Sequence, residues 1–239
     1  MAKRKNFSPE IREKTRRTAT AASKNIRGRI LIVCEGKETE PNYFNSFPKI
    51  DNVSVVTYGG EGCPSQVVEK ASELRDNAQS PYDVVWVVFD KDDFTDFKTA
   101  IDAAHEKEIR CAWSNEAFEL WFLYHFENPT NPISRDKYKG RIENHVQQGA
   151  KKQKLSQYQK FSYQKNDKNI RRTLLACGGN EDNAIKWAEK QAQEQAEWHG
   201  EKWDDHNPCT MVYLLVKQLL GEKDDEFNRK INKNYNKDE

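Results

Sequence analysis

The chain has 239 residues, of which 36% are hydrophobic, 32% charged and 11% aromatic. This length allows one main domain with an insertion, and the aromatic content excludes a wholly disordered chain. No apolar run is long enough to span a membrane, and the first residues lack the apolar segment of a secretory signal, so we expect a cytoplasmic protein. The five cysteines form no CxxC pair, which argues against a disulfide framework or a structural zinc site.

The first segment of the chain is strongly basic. Residues 1–29 carry ten Lys or Arg and two acids, and such a polar stretch buries too little apolar surface to fold alone. We predict a flexible basic arm over residues 1–28, acting either as a solubilising tail or as a nucleic-acid contact. Because the net charge is only +1, attraction to a polyanion has to come from such local concentrations of charge. A second flexible, charged segment is predicted at residues 221–239.

Short apolar runs alternate with helical patterns over residues 29–126. Four runs are typical of buried strands: RILIVCEG, NVSVVTY, VVWVVF and EIRCAWS. Amphipathic helical patterns lie between them, near residues 41–47, 65–78 and 96–107. Strands that alternate with helices predict an α/β core with an about four-stranded, mainly parallel sheet flanked by helices.

Residues 127–220 are predicted to form a basic helical insertion followed by C-terminal helices that pack on the core. Within this part, residues 183–199 have a long amphipathic pattern, and residues 208–220 are apolar enough to be buried against the sheet. The predicted organisation is therefore an α/β core with a C-terminal helical elaboration.

The insertion carries most of the positive charge outside the arm. Residues 135–172 hold twelve Lys or Arg and three acids. Tyr138, Tyr158, Phe161 and Tyr163 are interleaved with them, which predicts a nucleic-acid surface whose rings stack on unpaired bases. The alternative is an ordinary helical subdomain whose aromatic side chains form a small core. The candidate nucleic-acid contacts are Lys151, Lys152, Lys154, Arg171 and Arg172.

Acidic residues follow two of the predicted strands. Glu35 ends the first apolar run, and Asp90 and Asp92 follow VVWVVF. The carboxyl ends of parallel strands meet at one edge of a sheet, so the three side chains are expected to converge there. Carboxylates that close repel one another unless a cation neutralises them, and their oxygens suit Mg²⁺ or Mn²⁺ rather than zinc. The alternative is that Asp92 and Asp93 cap the next helix.

Three blocks of the chain, in this order, resemble the RloB-like proteins: ILIVCEGKETEPNYF, VWVVFDKDDF and SNEAFELWFLYHF. The resemblance extends over roughly residues 28–220. It implies a Toprim-like catalytic domain and a role in bacterial antiphage defence of the abortive-infection type. It also implies control by a partner ATPase of the AAA or ABC type, and related Toprim effectors suggest RNA, tRNA included, as the target.

The same resemblance assigns roles to individual acids. Glu35 corresponds to the invariant Toprim glutamate, and Asp90 with Asp92 to the family's DxD pair. Glu40, in the segment EGKETE, fits a further acid that would hold a second metal ion. The family's Asn-Pro pair before Phe-Glu-Leu-Trp is replaced here by Asn-Glu-Ala at residues 115–117, so this turn departs from the pattern.

Other charged or polar residues near these motifs carry separate hypotheses. Glu119 lies in a nearly all-apolar helical pattern, where a carboxylate is costly unless it ligates a metal or pairs with Lys or Arg. Lys37 is assigned to support negative charge on a reacting phosphate, whereas Lys91 is expected to make a structural ion pair. His206 either approaches the active site or packs at the start of the last helix.

Together these features predict a Mg²⁺-dependent nuclease that hydrolyses phosphodiester bonds. The candidate catalytic residues are Glu35, Asp90, Asp92, Glu119 and Lys37, and the candidate metal ligands are Glu35, Glu40, Asp90 and Asp92. The alternative is a noncatalytic module that binds nucleic acid or an ATPase while keeping the Toprim shape. The sequence leaves open the choice between RNA and DNA, and between a monomer and a homodimer.

Overall fold

The structure is a computed structural model that describes residues 29–47, 53–57 and 62–221. The predicted basic arm at residues 1–28 lies outside the described residues. The predicted charged tail at residues 221–239 also lies outside them, apart from Gly221.

A parallel sheet forms the centre of the molecule. Its three full strands are β1 (Ile30–Cys34), β2 (Val53–Thr57) and β3 (Val84–Val88), and β4 (Arg110–Cys111) adds two residues at one edge. The order is β2-β1-β3-β4, and every neighbouring pair is parallel. The α/β class with a parallel sheet is therefore confirmed. The predicted fourth strand is reduced to a two-residue edge, because the chain after it turns to pair elsewhere.

The central strand β1 determines where the candidate site lies. All five of its side chains are buried, as expected for a β-branched apolar run covered on both faces. Its last residue, Cys34, is opposite Thr57 of β2 and Val88 of β3. Because β1 and β3 end level with each other, the residues that follow them leave the sheet at the same edge.

Helices connect and cover the strands, as the amphipathic patterns predict. They are α1 (Thr39–Phe44), α2 (Pro64–Asp76) and α3 (Phe97–Glu106). Helix α2 begins with proline at its first position, and the Cys63 N–H donates to Gln66 Oε1 at 3.1 Å, which satisfies a free donor at the helix start. Helix α3 buries one face at helical spacing, comprising Phe97, Ala100, Ile101 and Ala104.

The second half of the chain is mainly helical. Its elements are β5 (Ser114–Asn115), α4 (Glu119–Tyr124), α5 (Tyr138–Lys152), α6 (Ile170–Ala176), α7 (Glu181–His199), β6 (Cys209–Thr210) and α8 (Val212–Leu219). Strands β5 and β6 form a short antiparallel pair. Within the described ranges, none of the helices has the length and hydropathy needed to cross a membrane.

The last helix, α8, packs against the sheet. Every side chain of α8 except Gln218 is buried, as its apolar composition predicts. Gln218 accepts a hydrogen bond at Oε1 from Trp86 Nε1 of β3, and the Lys217 ammonium lies 3.3 Å from Glu189 of α7. The C-terminal helices and the α/β core therefore share one apolar interior.

A buried ion pair joins α1, α6 and α7, and we refer to Tyr43, Arg171 and Glu181 as the helix anchor. Arg171 donates from Nε and Nη2 to the two carboxylate oxygens of Glu181, at 2.8 and 2.6 Å, and Tyr43 Oη donates to Glu181 Oε1 at 2.9 Å. The guanidinium also lies 3.9 Å from the centre of the Phe47 ring. Burial opposes ionisation, but the hydrogen bonds and charge of Arg171 outweigh it and hold the pKa of Glu181 below its usual value.

Removing Arg171 should destabilise the fold. In Arg171→Ala, the buried Glu181 carboxylate loses its bidentate partner, and breaking such a pair costs about 3–5 kcal/mol. Chemical denaturation should detect this loss, whereas Lys168→Ala, at an exposed position of the same segment, should change stability by less than about 0.5 kcal/mol. Equal stabilities for the two variants would contradict an anchoring role.

Candidate functional site

The acids that follow β1 and β3 meet at the end of the sheet. The Glu35 N–H donates to the Val88 carbonyl oxygen at 2.9 Å, so the pairing of β1 with β3 continues one residue past Cys34. The Asp90 N–H then donates to Glu35 Oε2 at 3.2 Å. The structure therefore brings Glu35 and Asp90 together where two adjacent parallel strands end.

Glu40 reaches the same edge from the first turn of α1. Its Oε1 accepts a hydrogen bond from the Gly36 N–H at 3.2 Å, and its side chain is 5% exposed. A Cβ atom added to Gly36 would lie 2.2 Å from Glu40 Oε2. Any larger residue at position 36 would therefore have to displace the Glu40 carboxylate from its present position.

Glu119 approaches from the first turn of α4. It is 8% exposed, and its Oε1 accepts a hydrogen bond from Tyr163 Oη at 2.8 Å. This tyrosine hydroxyl takes the place of the Lys or Arg partner that one sequence hypothesis requires. The hydrogen bond leaves the second carboxylate oxygen of Glu119 available for another contact.

These four side chains influence one another, and we refer to Glu35, Glu40, Asp90 and Glu119 as the acid cluster. Burial is the largest cause of raised pKa values, about 7 for Glu35 and about 7 for Glu40, and it raises the pKa of Asp90 well above its usual value. Charge repulsion within the cluster adds to each: Glu40 raises the pKa of Glu35, and Glu119 raises that of Glu40. Without a cation, the cluster therefore favours partial protonation at neutral pH.

Asp90 has a buried oxygen that finds no partner. Among the described residues, no hydrogen-bond donor reaches its Oδ1, although a buried carboxylate oxygen normally has one. The unpartnered oxygen and the carboxylate composition both suit a hard divalent cation such as Mg²⁺ or Mn²⁺. Glu35 and Asp90 are the residues that would hold it, with Glu40 beside them.

The carboxylates of the acid cluster are not arranged as a closed shell of metal ligands. Within residues 29–47, 53–57 and 62–221, no group of three or more His, Cys, Asp or Glu side chains is arranged so that it could hold one ion. A cation would therefore need a side-chain rearrangement to gain a third protein ligand.

Asp92, the third carboxylate expected at this edge, lies apart from the acid cluster. The expectation assumed an extended chain, in which alternate residues point the same way, but Asp92 has a φ of 42° in a turn directly after Asp90. Its Oδ1 forms an ion pair with Arg135 Nη1, and its N–H donates to the Glu116 carbonyl oxygen at 3.2 Å. Asp92 is therefore neutralised by a guanidinium and does not join the acid cluster.

Other candidates from the sequence have clear positions. Lys37 is exposed in the turn that follows Glu35. Lys91 lies 3.6 Å from Asp204, which matches the structural ion pair expected of it. His206 is buried, its Nε2 contacts the Gly200 carbonyl oxygen at 2.9 Å and its ring packs on Trp203; it therefore has the packing role.

The predicted nucleic-acid surface is only partly exposed. Four of the candidate contacts are exposed at or near helix ends: Lys151, Lys152, Lys154 and Arg172. The side chain of Arg171, by contrast, is 12% exposed and bound to Glu181, so the structure contradicts its assignment as a nucleic-acid contact. The interleaved aromatic residues belong to the core or pack against it. They form the small core of the alternative hypothesis and not a platform for stacking bases.

A cavity of about 280 Å³ opens beside Glu119. Tyr138 and Tyr163 contribute to its walls, and the cations around it are Arg135, Lys139 and Lys165. Nothing in the sequence distinguishes these three cations from the other Lys and Arg residues of the basic segment, because their sequence neighbours are similar. Their common feature is a position around Glu119, which becomes visible only once α4, α5 and the segment around Lys165 are brought together.

Comparison with known proteins supplies the family. The sequence model of the family described as RloB-like protein matches residues 30–219, most of the chain. The chain belongs to the RloB-like family. The match includes the residues of the acid cluster, so the predicted resemblance is confirmed. No curated protein and no solved structure matches the RloB-like chain.

The raised pKa of Glu40 predicts how stability depends on pH. Between its ordinary value of 4.5 and about 7, the folded chain binds more protons at Glu40 than the unfolded chain, so stability falls as the pH rises through this window. Glu40→Gln keeps an oxygen for the Gly36 N–H and removes the charge. In EDTA it should exceed the wild type in stability above about pH 7 by on the order of 1–3 kcal/mol.

Chemical denaturation across this pH range would measure the difference. Glu69→Gln is the matched control, because Glu69 is exposed and lies 3.6 Å from Lys107, and its profile should parallel that of the wild type. A parallel profile for Glu40→Gln as well would contradict the burial and repulsion assigned to Glu40.

The ion pair between Asp92 and Arg135 predicts an effect on cation binding. Arg135→Ala should tighten Mn²⁺ binding, measured by calorimetry, by about three- to tenfold, or roughly 0.6–1.4 kcal/mol. The reason is that Asp92 is released and a nearby positive charge is removed. Arg141→Ala is the control, because Arg141 pairs with Glu127 at 2.7 Å. Unchanged or weaker Mn²⁺ binding by Arg135→Ala would count against a cation site at the acid cluster.

Proposed function

We propose that this RloB-like protein is a divalent-metal-dependent nuclease with a Toprim-like catalytic core. The observation that carries the proposal is the acid cluster at the carboxyl end of β1 and β3, with one buried oxygen of Asp90 unpartnered among the described residues. Buried, mutually repelling carboxylates destabilise a fold. Their concentration at the edge where α/β sheets bind ligands favours a functional reason for them.

The chain's own residues have separable roles in this proposal. Glu35 and Asp90 would hold Mg²⁺ or Mn²⁺, which supplies neutralisation of charge on a phosphodiester. Glu40, whose pKa is raised to about 7, is suited to accept a proton near neutral pH. Lys37 and the cations around the cavity attract the negatively charged substrate. Glu119 positions Tyr163 through their hydrogen bond and lines the cavity beside the other acids.

The biological setting that we propose is based on resemblance to the family. By resemblance, the nuclease would act as a toxic effector in antiphage defence, under the control of a partner ATPase of the AAA or ABC type. RNA, tRNA included, is the first target class to test, and DNA is the second. The exposed lysines at the end of α5 provide further contacts for either polymer.

A noncatalytic module that binds nucleic acid or an ATPase is the second candidate. Two observations favour it: Asp92 is paired with Arg135, and the described residues contain no three acidic or cysteine or histidine side chains ready to share one ion. Under this alternative, the acid cluster would be an unused remnant of a catalytic ancestor.

A cleavage assay separates the two candidates. Purified protein should cut labelled tRNA or plasmid DNA with Mg²⁺ or Mn²⁺ and should not cut in EDTA. Asp90→Asn and Glu35→Gln should each lower the rate by about 100-fold or more, because each removes a charge that holds the cation. Asp93→Asn, at an exposed neighbouring position, is the matched control and should retain activity.

Other results of this assay would contradict the nuclease proposal. Cutting that persists in EDTA, or an Asp90→Asn variant that is folded and fully active, would overturn the metal-dependent nuclease. Tight binding of nucleic acid without cutting under any metal condition would support the noncatalytic module.

A further inference from the structure

The cavity beside Glu119 is surrounded by cations. The cations that line it are Arg135, Lys139 and Lys165, and Glu119 is the carboxylate among its lining residues. The side chain of Lys139 is 58% exposed and lies 3.9 Å from Glu143, a loose contact that an incoming anion would easily replace. The cavity therefore has an excess of positive charge on a protein whose net charge is close to neutral.

Two of these cations, Arg135 and Lys165, lie near the acid cluster. Arg135 lies close enough to lower the pKa of Glu35, and Lys165 close enough to lower that of Glu40, although burial dominates both values. A negatively charged group bound between these cations would therefore be next to the acids. The cavity therefore adjoins the acid cluster through Glu119, which belongs to both.

Burial limits what can reach the acids. Glu40 and Glu119 are 5% and 8% exposed, so a phosphodiester has to enter the protein surface to meet them. A volume of about 280 Å³ is just below the roughly 300–1,000 Å³ of typical small-molecule sites. It suits one nucleotide and excludes a duplex, whose phosphates are held on a wide, stiff cylinder.

We propose that this cavity admits one unpaired nucleotide of a single-stranded nucleic acid and that Arg135, Lys139 and Lys165 bind its phosphate. The inference rests on the proposed function for its destination, the acid cluster. It adds the substrate class, which is a single strand or an unpaired segment. A phosphate that binds Arg135 also competes with Asp92 for the guanidinium and so releases that carboxylate toward the acids.

The lysines at the far end of α5 offer a contrasting surface. Lys139 is near the start of this helix and Lys152 is its last residue, so the two lie about 20 Å apart at 1.5 Å per residue. Lys151 and Lys152 are exposed but do not line the cavity. Binding through the cavity and binding through this surface are therefore separable by mutation.

Fluorescence anisotropy in EDTA tests the inference without any cleavage. The probes are a short labelled RNA strand, the DNA strand of the same sequence, and each of them annealed to its complement. The wild type should bind the single strands more tightly than the duplexes, and a nucleoside monophosphate should compete. Lys139→Ala/Lys165→Ala should weaken single-strand binding about tenfold or more and reduce the salt slope by about 0.7 for each lost phosphate contact.

Two further variants complete the design. Lys151→Ala/Lys152→Ala should weaken single-strand binding clearly less than Lys139→Ala/Lys165→Ala does, because these two lysines would add only peripheral contacts outside the cavity. Lys139→Arg/Lys165→Arg should restore binding, since it restores both charges. Thermal unfolding of each variant confirms that the fold is retained, as expected for exposed lysines.

Two results would overturn the inference: duplexes that bind as tightly as single strands, or full binding by Lys139→Ala/Lys165→Ala with loss in Lys151→Ala/Lys152→Ala. Because no metal is present, these results are independent of cutting. A protein that binds single strands through the cavity but never cleaves them would disprove the nuclease and keep this inference. Normal cleavage by the Lys139→Ala/Lys165→Ala variant would instead disprove this inference and keep the nuclease.

Discussion

Repulsion among four carboxylates at one edge of a parallel sheet is the constraint around which this molecule is built. The elements β1, β3, α1 and α4 bring Glu35, Asp90, Glu40 and Glu119 together there. Burial makes the ionisation of Glu35, Glu40 and Asp90 unfavourable. Neutral backbone donors stabilise part of the charge, from the N–H groups of Gly36 and Asp90. Within the cluster, Asp90 Oδ1 is buried and has no donor among the described residues. The local folding free energy therefore favours either protons or an added cation at this edge.

The positive charges near this edge lie on its outer side. Arg135 is bound to Asp92, and Lys139 and Lys165 line the cavity in front of Glu119. Had a lysine or arginine been buried among the acids, the repulsion would be cancelled internally and the edge would be closed to a ligand. The observed arrangement leaves the acids under-neutralised while cations at the entrance attract anions. Such a gradient of charge suits a site that brings a polyanion to a cluster of acids.

The extent to which the sequence predicts this arrangement depends on how local the causes are. The strands follow from apolar, β-branched runs, and the meeting of Glu35 with Asp90 follows from two parallel strands that end level. The direction of the Asp92 side chain is not predicted, because Asp92 itself has a positive φ that redirects it. The buried ion pair of Arg171 is not predicted, because its partner lies on another helix. Nothing in a run of Lys and Arg residues distinguishes a buried one from exposed ones. The cavity depends on three segments distant in sequence, so no local pattern reveals it.

The hydrogen bond from Tyr163 to Glu119 has a consequence for how this protein can be divided. This hydrogen bond joins the basic insertion to the core. Strand β6 also contacts the core at Asn115, and helix α8 contacts it at Trp86. A shortened chain that ends near residue 126 would uncover the apolar side of the sheet and leave the Glu119 carboxylate without its phenolic donor. Excision of the α/β core alone should therefore fail to give a folded fragment, and loop exchange or fusion to a reporter has to keep the whole span from residue 29 to residue 221.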